Sequence, residues 1–309
     1  MSKSGFNSIG VIGIGTMGNG IAQVAAQSGF ITKVVDIHQA SLDRGMGTID
    51  RNLDRMVVSY EKSGGERGIT AQQKAEALGR LSGYTKLEFL LDCDIIIEAA
   101  VEREDVKREL FDKLAAQGFK GYLASNTSSI SITRLAANVE DPAKFMGMHF
   151  MNPVPVQQGV EVIRGLLTSD ETAERIVALC HDMGKIEIPA EDKAGFGINR
   201  MWVPFVNEAI RVVEEGVMAP DEADKCTLCL GHKMGPLTTA DYVGLDVILF
   251  ICNVLEEEFG SAYKASPLLK RLVEAGQLGL KTGMGFYVWA EGKSTGVNPA
   301  VARYRIGQI

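Results

Sequence analysis

The chain has 309 residues, 46% hydrophobic and 23% charged, with a net charge of −7: a globular composition with room for one large or two medium domains, and no basic footprint for nucleic acid or an anionic membrane. No apolar run reaches the roughly 18 residues that a membrane-spanning helix needs. The start, MSKSGFNS, lacks a basic segment followed by an apolar one, so a cytoplasmic protein without a signal peptide is expected.

The first half alternates short apolar runs (SIGVIG, ITKVVD, CDIIIE, GYLASN, KFMGMHF, KIEIPA) with helical patterns. Strands alternating with helices predict an α/β fold whose mostly parallel sheet is covered on both faces. In the first strand–helix unit, SIGVIGIGTMGNGIAQVAAQSG, glycines fall at Gly13, Gly15 and Gly18. At this spacing the first allows a tight turn, the second lets backbone approach a pyrophosphate, and the third allows close helix–strand packing. The second strand ends at Asp36, 23 residues after Gly13, where a carboxylate can bond the ribose hydroxyls of a dinucleotide. That carboxylate would repel a 2′-phosphate, and no Arg follows in DIHQAS, so the cofactor expected is NAD rather than NADP, on a Rossmann-type sheet.

Residues 37–80 are charged and periodic, and read as a helical hairpin inserted between the second and third sheet strands, turning at KSGGERGI. Three later segments, IIIEAAVERED, LASNTSSISIT and MHFMNPVP, end at the carboxyl edge of strands, where doubly wound sheets bind ligands. The stretch HFMNPVPVQQGVE places His149 and Glu161 on two apolar strand-like runs joined by an Asn-Pro turn. Alone, that pattern fits a satisfied buried ion pair as well as a catalytic dyad.

After IEIPAEDKAGF the strands give way to helical patterns: NRMWVPFVNEAIRVVEEG, DEADKCTLCLGHKMGP, TTADYVGLDVILFICNVLEEEFG and PLLKRLVEAGQLG. Two domains are expected, 1–189 and an all-α 190–309, with the boundary near Pro189. The helical part has more apolar stripes than one small bundle needs, which predicts a subunit interface there. Cysteines 93, 180, 226, 229 and 252 have no disulfide rhythm, and the Cys226–Cys229 pair on a helix has no second pair to complete a metal site, so no metal is expected. His38, His181 and His232 read as surface or packing residues.

Taken in order, GVIGIGTMGNGIAQ, SNTSSISIT, GMHFMNPVP, VEVIRG, NEAIRVVEEGV, GHKMGPL and GLKTGMGFY resemble the short-chain L-3-hydroxyacyl-CoA dehydrogenases, a family that includes bacterial 3-hydroxybutyryl-CoA dehydrogenases. The resemblance implies an NAD-dependent oxidation of (3S)-3-hydroxyacyl-CoA, and the apolar stripes of the helical part add the expectation of a homodimer formed through the C-terminal domain. The resemblance also implies His149 as general base, Glu161 as its orienting partner, and Ser128 and Asn199 as groups holding the substrate oxygen. NAD contacts fall on the loop Gly13, Ile14, Gly15, Thr16, Met17 and Gly18, on Asp36, and on Glu102, Lys107, Ser128, Asn152 and Lys281. Coenzyme A contacts fall on the hairpin, at Asn52 and at a position where this chain has Ser59 in place of the family's Lys, with Lys62 nearby as its substitute. The chemistry agrees: oxidising an alcohol needs a base titrating near neutrality, and Ser and Asn can hold an oxygen without competing for its proton.

The chain departs from the family's pattern at Gln157, Gln158 and Gly159 and at Ala194. If 157–163 is a strand, Gln157 and Gly159 share the face of Glu161 and leave a gap, so an acyl group bulkier or more polar than butyryl is expected, with Trp202 as a candidate aromatic wall. Two other functions are open to the sequence: dehydrogenation of a free hydroxy acid, as by gulonate and carnitine dehydrogenases, and a crystallin-like structural protein without catalysis.

Overall fold

The computed structural model describes residues 2–302 and divides the chain into two compact units, one ending at Phe196 and the other starting at Gly197. The first holds strands β1 (Ser8–Ile12), β2 (Ile31–Val35), β3 (Leu81–Tyr84), β4 (Ile95–Glu98), β5 (Tyr122–Ser125), β6 (Phe145–Phe150), β7 (Gly159–Arg164) and β8 (Ile186–Glu191). They form one eight-stranded sheet in the order β3-β2-β1-β4-β5-β6-β7-β8. Every neighbouring pair is parallel except β6–β7. The link between those two strands, residues 151–158, is too short for the crossover a parallel pair requires, so β7 runs back beside β6.

Helices α1 (Thr16–Gln27), α2 (Gln39–Lys62), α3 (Ala71–Gly79), α4 (Glu104–Ala116), α5 (Ile132–Ala136) and α6 (Asp170–Asp182) complete this unit. Strand alternation sorts the core into two layers. Ile95, Ile97, Met146 and Met148 pack with Ile21 of α1 and Ile176 of α6. Ile96, Phe145 and Ile163 pack on the opposite face with Phe111 of α4 and Leu135 of α5. α2 and α3 form the hairpin; Thr70 caps α3 through a reciprocal bond pattern with Gln73.

In the first unit the structure departs from the sequence expectations at two places. β3 is an additional strand after the hairpin: LSGY is short, half-exposed and at the sheet edge, so it has no apolar run to announce it. The expected boundary at Pro189 falls inside β8, because β8 is the other edge strand and a sheet edge tolerates a proline that cannot donate.

The second unit contains α7 (Ile198–Glu214), α8 (Pro220–Cys229), α9 (Pro236–Val243), α10 (Leu245–Phe259) and α11 (Pro267–Glu274). It is not all-α. A hairpin of β9 (Tyr287–Ala290) and β10 (Lys293–Val297) packs on its helices. Buried Asp241 accepts from the Phe286 and Tyr287 backbone N–H groups and from Trp289 Nε1, which ties the hairpin to α9. The run TTADYVGLDVILF breaks at Gly244, whose φ of 106° a helix cannot continue, and α9 and α10 meet at 98°. Among the described residues no single helix is long and apolar enough to cross a membrane.

Candidate active site

The site in the first unit is built at the carboxyl ends of β1, β2, β4, β5 and β6. The turn after β1 depends on its glycines. Gly13 sits at φ +87°, and a Cβ there would meet the Ala99 carbonyl oxygen at 2.7 Å; one at Gly18 would lie 1.7 Å from the Gly13 oxygen. Around Gly15 nothing lies within 4 Å, so backbone is open to a ligand. α1 starts there with no side-chain cap and no acidic residue in its first turn, leaving a positive end with unpaired N–H groups beside Ile14, Thr16 and Met17. Asp36 lies just beyond β2, where its carboxylate accepts from Ile14 N at 3.2 Å and His38 N at 3.1 Å. An open anion-binding turn with a carboxylate held beside it fits a dinucleotide: the turn for the pyrophosphate, Asp36 for ribose hydroxyls.

The next wall is a carboxylate–ammonium network that sequence reading saw only in part. Glu98 ends β4 and is fully buried, and Lys107 of α4 is 1% exposed. Lys107 Nζ donates to both Glu98 oxygens at 2.7 and 2.8 Å and lies 3.3 Å from Glu102. Ser125 Oγ and Ala100 N donate to Glu98 as well. Glu102 in turn accepts from Thr127 Oγ1 at 2.6 Å, Ser128 N at 2.8 Å, and the Ser128 and Ser129 hydroxyls at 3.2 Å. Burial raises the Glu102 pKa, but the Lys107 charge and the Thr127 and Ser128 donors outweigh it, holding the group below the ordinary glutamate range. The structure thus brings Glu102, Lys107 and Ser128 together, with Lys107 buried behind Glu102, so that its charge acts on the site through that carboxylate. The signal for Glu98 was its place as the carboxylate closing an otherwise apolar run, IIIE.

The third element is the strand pair. His149 and Glu161 are directly opposed in the β6–β7 register. Nδ1 of His149 lies 2.7 Å from Oε2 of Glu161, which is fully buried, while His149 is 9% exposed. A carboxylate at Nδ1 fixes the neutral ring's proton on that nitrogen and leaves the Nε2 lone pair for a substrate proton. The Phe196 ring lies tilted beside the imidazole, its centroid 6.0 Å from that of His149. Asn152 lies exposed in the 151–158 loop, before Pro153.

The remaining expected residues lie on α2 and in the second unit. Asn52 sits midway along α2, its amide donating to Gln23 of α1 at 3.3 Å. Ser59 and Lys62, further along α2, line an open groove of about 570 Å³ with Arg55 and Arg67. In the second unit, Asn199 lies in the first turn of α7, and Lys281 is ion-paired with Asp246 at 2.6 Å. The gap expected at Gly159 is not there: a Cβ would meet Ile188 Cδ1 of β8 at 2.9 Å, so the neighbouring strand fills it. Gln157 precedes β7 and is exposed, off the strand face it was expected to share. The expected widening of the acyl pocket at Gly159 is therefore absent. Among the described residues no group of three or more His, Cys, Asp or Glu side chains is placed to hold a metal.

Sequence comparison agrees with this geometry over most of the chain. Residues 8–193 match the family model for the 3-hydroxyacyl-CoA dehydrogenase NAD binding domain, and residues 195–289 match that for the C-terminal domain of the same family. The chain belongs to the 3-hydroxyacyl-CoA dehydrogenase family. Its first unit is an NAD-binding domain of that family, and its Ser128, His149 and Glu161 stand at the carboxyl edge of that domain's sheet. A probable 3-hydroxybutyryl-CoA dehydrogenase of Deinococcus radiodurans is 48% identical over 282 residues, covering 90% of this chain and 98% of the relative. The 3-hydroxybutyryl-CoA dehydrogenase of Bradyrhizobium diazoefficiens is 46% identical, covering 90% of this chain and 94% of its own length. Among solved structures, the (S)-3-hydroxybutyryl-CoA dehydrogenase of Ralstonia eutropha is similar, with a TM-score of 0.85 and 42% identity, covering 93% of this chain and all of that one. FadB2 of M. tuberculosis has a TM-score of 0.87 at 40% identity, covering 92% and 99%.

Proposed function

We propose that this family member is an NAD-dependent dehydrogenase that oxidises (3S)-3-hydroxyacyl-CoA to 3-ketoacyl-CoA, reversibly, with a short acyl chain of the four-carbon class. The His149–Glu161 pair carries this reading: a base with its lone pair available and its tautomer fixed, on the same sheet edge as a dinucleotide turn. NAD supplies the hydride acceptor. His149 Nε2 takes the hydroxyl proton, and the buried Glu161 carboxylate stabilises the imidazolium that results. Ser128, at the end of β5 with its hydroxyl donating to Glu102, is the oxygen-holding group in this reading. Relatives named for 3-hydroxybutyryl-CoA and the filled space at Gly159 favour the short acyl group over a bulky one.

We further propose a homodimer formed through the second unit. Between residues 201 and 250 that unit leaves exposed Met201, Phe205, Leu228, Leu230, Val247 and Phe250, apolar side chains that a partner subunit would cover. A reducing, cytoplasmic setting is supported by free thiols at Cys93, Cys180, Cys226, Cys229 and Cys252. The deciding assay compares kcat/KM for NADH-dependent reduction of acetoacetyl-CoA, longer 3-ketoacyl-CoAs and free 3-keto acids. Acetoacetyl-CoA should rank first. A free acid ranking above every thioester would refute the reading.

A further inference from the structure

The 151–158 loop joins the two strands that carry His149 and Glu161, and it is held from two sides. On one, Val154 is 2% exposed and packs on α1: a Cβ at Gly20 would lie 2.8 Å from Val154 Cβ and 3.3 Å from Pro155 Cδ. Only glycine lets the helix that starts at the dinucleotide turn come this close. On the other, Lys185 Nζ donates to the Val154 carbonyl at 2.5 Å and the Gln157 carbonyl at 2.7 Å.

Lys185 follows α6, where Gly184 at φ +66° turns the chain and Lys185 N bonds the Cys180 carbonyl at 2.8 Å. The side chain is buried, 8% exposed, and its acceptors are neutral carbonyls; among the described residues no carboxylate pairs with it. Burial lowers its pKa below the ordinary lysine value, and the nearby Cys180 thiol, pushed up to about 12 by burial, offers no counter-charge near neutrality. A buried ammonium without a carboxylate is costlier than an apolar side chain of the same length. Packing therefore gives no reason for a lysine here. Bridging two carbonyls of one loop does.

We propose that Lys185 is a positioning residue of the dehydrogenase: its ammonium clamps the 151–158 loop against α1 and so fixes Asn152 and the end of β6, with His149, relative to the dinucleotide turn. This rests on the function proposed above. Displacements of about 1 Å in such a site cost on the order of 10²-fold in rate.

The test uses Lys185→Met and Lys185→Arg in the full-length protein, with three readouts: NADH affinity by fluorescence titration, the kcat and KM for acetoacetyl-CoA, and the melting temperature. Lys185→Met should lower kcat by about 10- to 100-fold and weaken NADH binding, with KM for the thioester near wild type; Lys185→Arg should recover most of both. Gly20→Ala pushes on Val154 from the other side and should give the same signature should Lys185→Met fail to fold. A Lys185→Met or Gly20→Ala variant with a lower melting temperature but unchanged kcat and NADH affinity would overturn the proposal, as would an arginine that recovers neither. If the wild type reduces no acyl thioester, the dehydrogenase reading fails, while NADH affinity in the variants still decides the clamp.

Discussion

Glu161 and His149 face each other across the antiparallel pair β6–β7, with the carboxylate oxygen 2.7 Å from Nδ1 and fully buried. The chain reverses between them, so the separation is set by sheet register rather than by a flexible loop. Replacing Glu161 with Gln keeps an acceptor at Nδ1 but removes the charge that stabilises the imidazolium. A drop in kcat of about 10- to 100-fold is expected, smaller than that for loss of the imidazole. Steady-state kinetics with acetoacetyl-CoA checks it; an unchanged kcat would reduce the pair to a structural contact.

Cofactor choice should follow Asp36. Its carboxylate stands beside Ile14 N, where a 2′-phosphate would be repelled. Asp36→Ser should weaken NADH binding and narrow the NAD-to-NADP ratio of kcat/KM. Measuring both cofactors in both proteins decides it, and an identical ratio would mean that Asp36 does not read the ribose.

The Glu98–Lys107–Glu102 network should matter for stability as well as for the Ser128 loop. Lys107→Met strands two carboxylates, one of them fully buried, and should cost about 3–5 kcal/mol of unfolding free energy. Urea denaturation at neutral pH reads this directly. A loss well under 1 kcal/mol would show that water or rearrangement replaces the ammonium.

Acid should erase the contribution of Glu102. Its folded-state pKa is depressed below the ordinary value of 4.5, first against burial and then by Lys107, Thr127 and Ser128. A carboxylate of this kind stabilises the fold fully above its unfolded pKa and loses that contribution as pH falls through the folded value. Glu102→Gln should therefore be less stable than wild type near neutrality, with the difference shrinking below the ordinary glutamate range. A difference that stays constant across that window would assign the effect to something other than ionisation.

Association is tested at the second unit. Phe250 of α10 is 45% exposed, and Phe250→Asp should shift the protein from dimer to monomer in light scattering while leaving its circular dichroism unchanged. A wild-type protein that is monomeric at all concentrations would end the proposal.

How much of this was legible in the sequence depended on the kind of signal. β1, β4 and β6 are buried on both faces and read as continuous apolar runs, so they and the glycine turn after β1 could be located by composition. β3 could not, because a four-residue half-exposed edge strand has no periodicity to detect. The β9–β10 hairpin is hidden for a related reason: it is held by Asp241 through backbone and indole donors, which are not visible as a pattern along the chain. In the site, the residue types of His149 and Glu161 were readable and their direct opposition was not, since register depends on where β7 begins. The space beside Gly159 looks open in the sequence because its occupant, Ile188, comes from a strand paired only in the folded sheet.

The role of His149 is tested most directly by the turnover of His149→Gln with acetoacetyl-CoA and NADH, measured beside its NADH affinity. Loss of a positioned acid–base group should lower kcat by about 10²–10⁴-fold, roughly 3–5 kcal/mol of barrier, while NADH binds as in wild type. A variant that keeps near wild-type kcat would contradict the assignment of His149 as the proton-transfer group.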